Sequence, residues 1–305
     1  MTTIRQQDNH PTTLSQHHTP LAIIQPGRKI TVHTLDAFAN QLSPEQPDLS
    51  RIAQRPHINP VTGPILIENA QPGDALHIHI HDIQPDRDYA VTALVPKFGG
   101  LTTTHQTALL HDPLPPSVRF MPINNNRVHF SDTIALPYQP MIGTIGTAPP
   151  LEAISSLVPD HFGGNLDCTD VCPGNILILP VLVPGACLFL GDAHATQGDG
   201  EVSGVAAEMP ARITLTVNLH KNAAPTWPRI QSPTQLITIG AARPLEDAAR
   251  IAWCELIHWM TADYNFNPLD AYQLLGQVGR MKVGNMVDPN YTMLASIDRQ
   301  YLAPR

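Results

Sequence analysis

Positive charge is scarce in this sequence. Lys and Arg together number 18 against 26 Asp and Glu, for a formal net charge of -8. No basic stretch interleaved with aromatics occurs, which argues against a nucleic-acid partner. Charged residues make up only 14% of the chain, too few for a disordered polyelectrolyte, and 42% hydrophobic residues suffice for a substantial core. Apolar runs fall short of the roughly 18 residues that a membrane-spanning helix requires. The opening MTTIRQQDNHPTTLSQHHTP has no apolar signal core. The expectation is therefore a soluble, cytoplasmic protein with no membrane partner. The four cysteines, Cys168, Cys172, Cys187 and Cys254, are too few for a disulfide framework in 305 residues. Cys168 and Cys172 read as reduced thiols near a turn rather than as a metal pair. There is no Gly-x-Ser-x-Gly elbow and no Gly-rich loop carrying a lysine. Ser155-Ser156 lacks Gly-rich flanks and an upstream lysine. Serine-nucleophile and phosphate chemistry thus find no support.

Proline, by contrast, is plentiful at 31 residues, while aromatics reach only 5%. Short apolar runs cut by proline and glycine predict a mainly β architecture with many turns. Residues 1–20 are polar and expected to be a flexible N-terminus. A β-rich body is expected over 21–222, with strand pairs around Pro26-Gly27, Gln71-Pro72-Gly73-Asp74 and Pro184-Gly185. Residues 97–130, rich in Pro, Thr and Asn, read as long surface loops. The pattern changes near residue 243. Leu245, Ala248, Ala249, Ala252, Leu256 and Trp259 recur at helical steps. A second helix follows, with Asn267 as cap, Pro268 at its first position and Gly279 at its end. Residues 223–305 are accordingly expected to form a smaller α+β C-terminal portion beside a β-sandwich-like body.

The informative segment is Pro159–Val217. Its strands end in ionisable groups flanked by glycine: Asp167, Asp192, His194, Asp199, Glu201 and Glu208. Burying such groups costs several kcal/mol per ion unless a partner is present. In ACLFLGDAH, Asp192 and His194 are two apart, so an extended strand points both the same way. One imidazole with two or three carboxylates suits zinc completed by water, and oxygen-rich ligation also suits manganese or calcium. Taken singly, Asp199 reads as a turn-former, and Glu201 as solvated or as a partner to a ligand. A rival motif is HIHIH, which lines up His77, His79 and His81 on one strand face. Without a spaced downstream Glu and His it reads as a wet face that tolerates histidine.

The blocks HFGGNLD, GNILILPVLVPGACLFLGDAHATQGDGEVSGVAAEMP and NPVTGPILIENAQPGD resemble the acetamidase/formamidase family. So do TLDAF, PMIGTIGTAP and AYQLLGQVGRMKVGNMVDP, so the likeness runs from about Ala22 to Asp288. The resemblance implies a metal-dependent amidohydrolase that cleaves a small linear amide, of the formamide or acetamide type, to a carboxylate and ammonia. A lactam or cyclic-amide hydrolase, or a non-enzymatic amide-binding protein with a structural metal, are the alternatives. It also implies a homodimer and a divalent metal, zinc. By motif, Asp167, His194 and Glu208 are carried over to the metal site, with Asp36 and Asp192 as neighbours. The ligand candidates are then Asp167, His194, Asp192 and Asp36, and Glu208 and Glu201 are the candidates for proton transfer. Gly163, Gly164, Asn165 and Gln197 are the candidate substrate contacts. CTDVC, the HIHIH face and residues 97–130 depart from the family pattern.

Overall fold

A computed structural model describes residues 2–52, 58–101 and 114–302. Two large sheets pack face to face. One has nine strands in the order Thr2–Arg5, Lys29–Thr34, Ala211–His220, Ala75–Pro85, Ile176–Pro180, Arg229–Gln231, Gln235–Ala242, Tyr291–Asp298 and Arg280–Val283. The other has ten strands, and Leu188–His194 lies within it. That strand pairs antiparallel with Met141–Gly146 on one side and with Glu208–Met209 and Val61–Ile67 on the other. The alternation legible in the sequence becomes the sandwich interior. Ile30, Val32, Ile78, Ile80, Ile213 and Leu215 from the first sheet meet Ile65, Ile142, Ile145, Leu188 and Leu190 from the second in one buried cluster. Each such side chain contributes about 1.5–3 kcal/mol when removed from water. This is the mainly β, sandwich-like architecture expected.

Helix α1 (Leu245–Tyr264) buries Ala248, Ala252, Leu256, Trp259 and Met260 against the outer face of the nine-stranded sheet. Gly240 permits that approach, because a Cβ there would lie 2.1 Å from the Ala248 carbonyl. Helix α2 (Pro268–Val278) starts as expected: the Asn267 side chain accepts the Leu269 N–H at 2.9 Å, and Gly279 ends it. Glu255 interrupts the apolar stripe of α1, yet it is buried. Arg229 reaches it from the sheet, Nε to Oε1 at 2.6 Å. Among the described residues no helix is long and apolar enough to cross a membrane.

Three expectations need correction. The N-terminal stretch is tied down rather than flexible. Thr2–Arg5 adds a parallel strand beside Lys29–Thr34, Thr13–Leu14 pairs with Ile154–Ser155, and Ile4 and Leu14 are buried. A polar sequence with a few apolar residues can still finish a sheet edge. The boundary expected near residue 222 does not divide the structure either, since the nine-stranded sheet draws strands from both sides of it. Lastly, within 97–130, Ser117–Asn124 and Arg127–His129 form a hairpin rather than a loop. Asn125 and Asn126 turn it with φ of 50° and 57°, which asparagine tolerates. Residues 102–113 of that stretch lie outside the described residues.

Candidate metal centre

The site lies where the Leu188–His194 strand meets its neighbours. His194 and Glu208 are directly opposed across two antiparallel strands. Met141 stands opposite His194 on the other side, and two positions further on Gly143 comes alongside Asp192. Asp167 follows the short strand Gly163–Asn165, and Glu201 sits on the loop between the two opposed strands. Asp167, Asp192 and Glu201 all adopt left-handed backbone, with φ of 45°, 56° and 44°. That conformation is uncommon for residues with a side chain and persists where surrounding structure enforces it.

Asp167, Asp192, His194, Glu201 and Glu208 are all buried. Two triplets offer ligand atoms within 4.8 Å of one another, Asp167–His194–Glu201 and Asp192–His194–Glu208, and His194 belongs to both. Its Nε2 lies 3.2 Å from Asp192 Oδ1 and 3.3 Å from Glu208 Oε2. His194 Nε2, Asp167 Oδ1 and Glu208 Oε2 are nevertheless buried without a hydrogen-bond partner. The tautomer of His194 follows from Gln197. The Gln197 amide nitrogen donates to the carbonyls of Asp167 at 2.7 Å and Gly284 at 3.3 Å. Its oxygen therefore faces His194 Nδ1, at 2.9 Å, and must accept a proton from it. In the neutral imidazole the lone pair is then left on Nε2, among the carboxylates. Such fixing of the imidazole by a partner on its far nitrogen is the usual support of a metal-binding histidine.

A fifth buried acid, Asp288, joins the group from the segment after the second helix. The Asn165 amide nitrogen donates both to Asp167 Oδ2 and to Asp288 Oδ2, each at 2.7 Å. The Asn165 oxygen accepts from Asn59 at 2.9 Å and from Thr144. The electrostatics follow from crowding. Burial, reinforced by Asp288 and Asp192, holds the Asp167 carboxyl well above its ordinary value. Burial with Asp167 raises Glu201, and burial with Glu201 raises Asp288. Glu208 is pushed up to about 8, burial outweighing the nearby imidazole. His194 resists the downward pull of burial because Glu208 and Asp192 face it, and ends well above its usual value. Asp192 alone goes the other way, burial being more than offset by His194. Ionising all five carboxyls around one imidazole would leave a surplus of negative charge, and that is why four of them are held above their ordinary values. A divalent cation would offset that charge, and the orphaned nitrogen and oxygens are donor atoms such an ion accepts. The residues present fit a metal.

Four of these groups, Asp192, Glu201, Glu208 and Asp288, together with Asn165, form the polar end of a cavity of about 540 Å³. Asp167 and His194 are not among its lining residues and lie behind that floor.

The structure thus brings together Asp167, Asp192, His194, Glu201 and Glu208. Glu201 is not solvated, as its flanking glycines suggest in sequence, but buried within the acid group. Asp36 is not brought to the cluster. Its Oδ1 accepts the N–H groups of Phe38 and Asn40, and its Oδ2 lies 2.8 Å from the Arg87 guanidinium. Gln197 and Asn165 do not stand free for substrate, since their amides are committed to orienting His194 and the acids. Gly163 and Gly164 do not line the cavity. Added Cβ atoms there would meet the Ile145 and Val158 carbonyls at 2.4 and 2.1 Å, so these glycines serve close strand packing. Asp199 is exposed, 4.0 Å from Lys282. His77, His79 and His81 line the half-exposed face of the other sheet, where His77 stacks on His220 and His81 bonds Thr216. All four cysteines are free. Asp288 is the member that sequence reasoning missed; the only signal was an acid inside the GNMVDP block.

Comparison with known proteins points to one family. Residues 4–158 and 151–299 match the model of the Acetamidase/Formamidase family. The chain is similar to the solved structure of an acetamidase from Yersinia enterocolitica, with a TM-score of 0.95, 43% identity, and coverage of 99% of this chain and 93% of the other. It is 25% identical over 258 residues to a formamidase from Methylophilus methylotrophus, covering 66% of this chain and 62% of that one. A shorter stretch of 61 residues, 20% of this chain, is 48% identical to a putative formamidase of Schizosaccharomyces pombe, of which it spans 15%. The chain therefore spans less than two thirds of each of these two curated relatives.

Proposed function

The chain belongs to the acetamidase/formamidase family, and from that premise we propose that it hydrolyses the C–N bond of a small linear amide to a carboxylate and ammonia. The observation that carries the reading is the orphaned His194 Nε2, its proton fixed on Nδ1 by Gln197, facing carboxylates that crowd one another. We assign a divalent cation, zinc, to Asp167, His194 and Glu201, which share one ligand-atom cluster at the foot of the cavity. When bound, such an ion polarises a carbonyl and lowers the pKa of water toward about 7.

The chain's own groups supply the rest. Glu208 borders the cavity, and its Oε1 accepts the Ala206 N–H at 3.0 Å, which leaves Oε2 free. A carboxyl pushed up to about 8 exchanges protons near neutral pH. Glu208 takes a proton from the water that adds to the amide carbon. It then delivers that proton to the nitrogen, which leaves as ammonia when the C–N bond breaks. Asp192, its Oδ1 3.2 Å from His194 Nε2, adds a further acceptor oxygen on the cavity side of the imidazole. A cytoplasmic homodimer completes the reading, and sedimentation at two protein concentrations checks its subunit count.

Ammonia release from formamide and acetamide, measured together with metal content, tests the proposal. His194→Ala should lose metal and turnover together. Glu208→Gln should keep its metal while kcat falls about 10²–10⁴-fold. Full activity in metal-free protein refutes the reading.

A further inference from the structure

The cavity is much larger and more apolar than formamide or acetamide requires. At about 540 Å³ it falls within the ~300–1,000 Å³ of pockets that enclose drug-sized ligands. Its walls include Phe38, Ile52, Ile58, Val95, Phe98 and Val205, with Lys97 and Ser50 among the few polar groups outside the acidic floor. These belong to one hydrophobic cluster, in which Phe38, Ile52 and Val205 are buried, with Ile58, Val95 and Phe98 packed against them. Parts of the wall are closely packed. Phe98 lies on Gly204, where a Cβ would come within 2.6 Å of its ring. A Cβ at Gly99 would come within 2.8 Å of the Ser203 carbonyl oxygen. Phe38 follows Asp36, whose carboxylate accepts its N–H.

The two ends of the cavity therefore ask for different chemistry in one molecule. The floor presents the carboxylates of Asp192, Glu201, Glu208 and Asp288. Carboxyl oxygens accept hydrogen bonds, so they suit an unsubstituted –NH₂, which donates two. The apolar walls have no partner in such a group. They are matched by carbon on the far side of the carbonyl.

We infer that the preferred substrates are primary amides bearing an extended apolar acyl group, aliphatic or arylalkyl, with the –NH₂ on the acidic floor and the acyl chain along Phe38, Ile52, Ile58, Val95, Phe98 and Val205. This rests on the amidase reading above and specifies its substrate class. The reaction stays balanced as before: water adds, the C–N bond breaks, and a longer-chain carboxylate and ammonia leave.

The test is a homologous series on the metal-loaded wild-type protein: formamide, acetamide, butanamide, hexanamide and phenylacetamide, with ammonia as readout. Each methylene buried in the transition state should raise kcat/KM by up to about fourfold, so hexanamide should exceed acetamide by one to two orders of magnitude. Filling the chamber with Val95→Phe should lower the hexanamide-to-acetamide ratio of kcat/KM at least tenfold. A series that is flat or falls beyond acetamide overturns the acyl-chamber inference while leaving the amidase reading in place. So does an unchanged ratio in Val95→Phe. Absence of ammonia from every member overturns the amidase reading, and this inference with it.

Discussion

Replacing Gly143 by alanine adds one methyl group to a crowded point beside the acid cluster. Built on the existing backbone, that carbon would stand 2.5 Å from Asp192 Oδ2, 2.7 Å from Asp167 Oδ1 and 2.8 Å from the Asp192 carbonyl oxygen. Gly143 has no positive φ, so backbone conformation does not oppose the change; only contact does. Ordinary contact begins near 3.4 Å, so the two carboxylates must retreat by about 0.7–0.9 Å. They have little freedom to do so. Asp167 is held at 2.7 Å by Asn165, and Asp192 Oδ2 lies 3.2 Å from the Thr144 hydroxyl. Overpacking of this kind costs about 1–3 kcal/mol of stability. The effect on the ion is larger, because metal sites tolerate only about 0.2 Å of ligand displacement. The expected outcome is a 10–100-fold or greater loss of metal affinity, the range seen when supporting groups are disturbed, with amidase activity falling in parallel. Chelator competition and elemental analysis read the first, ammonia release the second, and circular dichroism verifies the fold. Gly276→Ala is the control. Nothing lies within 4 Å of its Cβ position within helix α2, so it should stabilise by about 0.5–1 kcal/mol and leave the metal untouched. Wild-type metal affinity in Gly143→Ala would falsify Asp167 as a ligand of the ion.

Three further outcomes follow from other contacts. Gln197→Leu removes the acceptor that fixes the His194 proton on Nδ1, and metal affinity should drop 10–100-fold with little change in secondary structure; isothermal titration with zinc reads this. Glu255→Ala strands the Arg229 guanidinium in a buried setting and should cost about 3–5 kcal/mol in urea unfolding, far from the site. His77 gives a pH signature. Burial, with His220 and Arg229 nearby, lowers its pKa from 6.5 to about 4. The unfolded chain therefore binds a proton between those values that the folded chain refuses. The contribution of His77 to stability is full above pH 6.5 and is lost as pH falls toward 4. A His77→Gln variant should show a shallower decline of the urea midpoint over that window, with the size of the effect reduced by solvent at this half-exposed position.

The sandwich was legible because its chemistry is local. Alternation in Ala211–His220 and Ala75–Pro85 specifies which residues face inward, and Asn267 and Gly279 punctuate α2. The same locality made Asp192 and His194 readable as a pair on one strand. What escaped the sequence depends on distant partners. Asp288 joins Asp167 through Asn165, across 123 positions of chain. Asp36 looked equivalent to the other acids until Arg87, brought in by another strand connection, took its outer oxygen. Gly163, Gly164 and Gln197 stood beside reactive groups in sequence, which suggested substrate contact. Only packing shows that the glycines admit neighbouring backbone and that Gln197 faces the imidazole. The Asn125-Asn126 turn was present as a signal but lay within a polar stretch that masked it.

Residues 284–292 close the site from behind: Gly284 receives Gln197, Asn285 reaches the Asn165 carbonyl, Asp288 meets Asn165, and Thr292 donates to the Leu166 carbonyl. On the ribosome, that segment emerges long after His194 and Glu208 have been synthesised. A nascent polypeptide still short of Thr292 has the histidine and most of the acids but not the clasp that orients them. The histidine and most of the acids thus precede in synthesis the segment that orients them, and the pocket is latched only once Thr292 has joined Leu166.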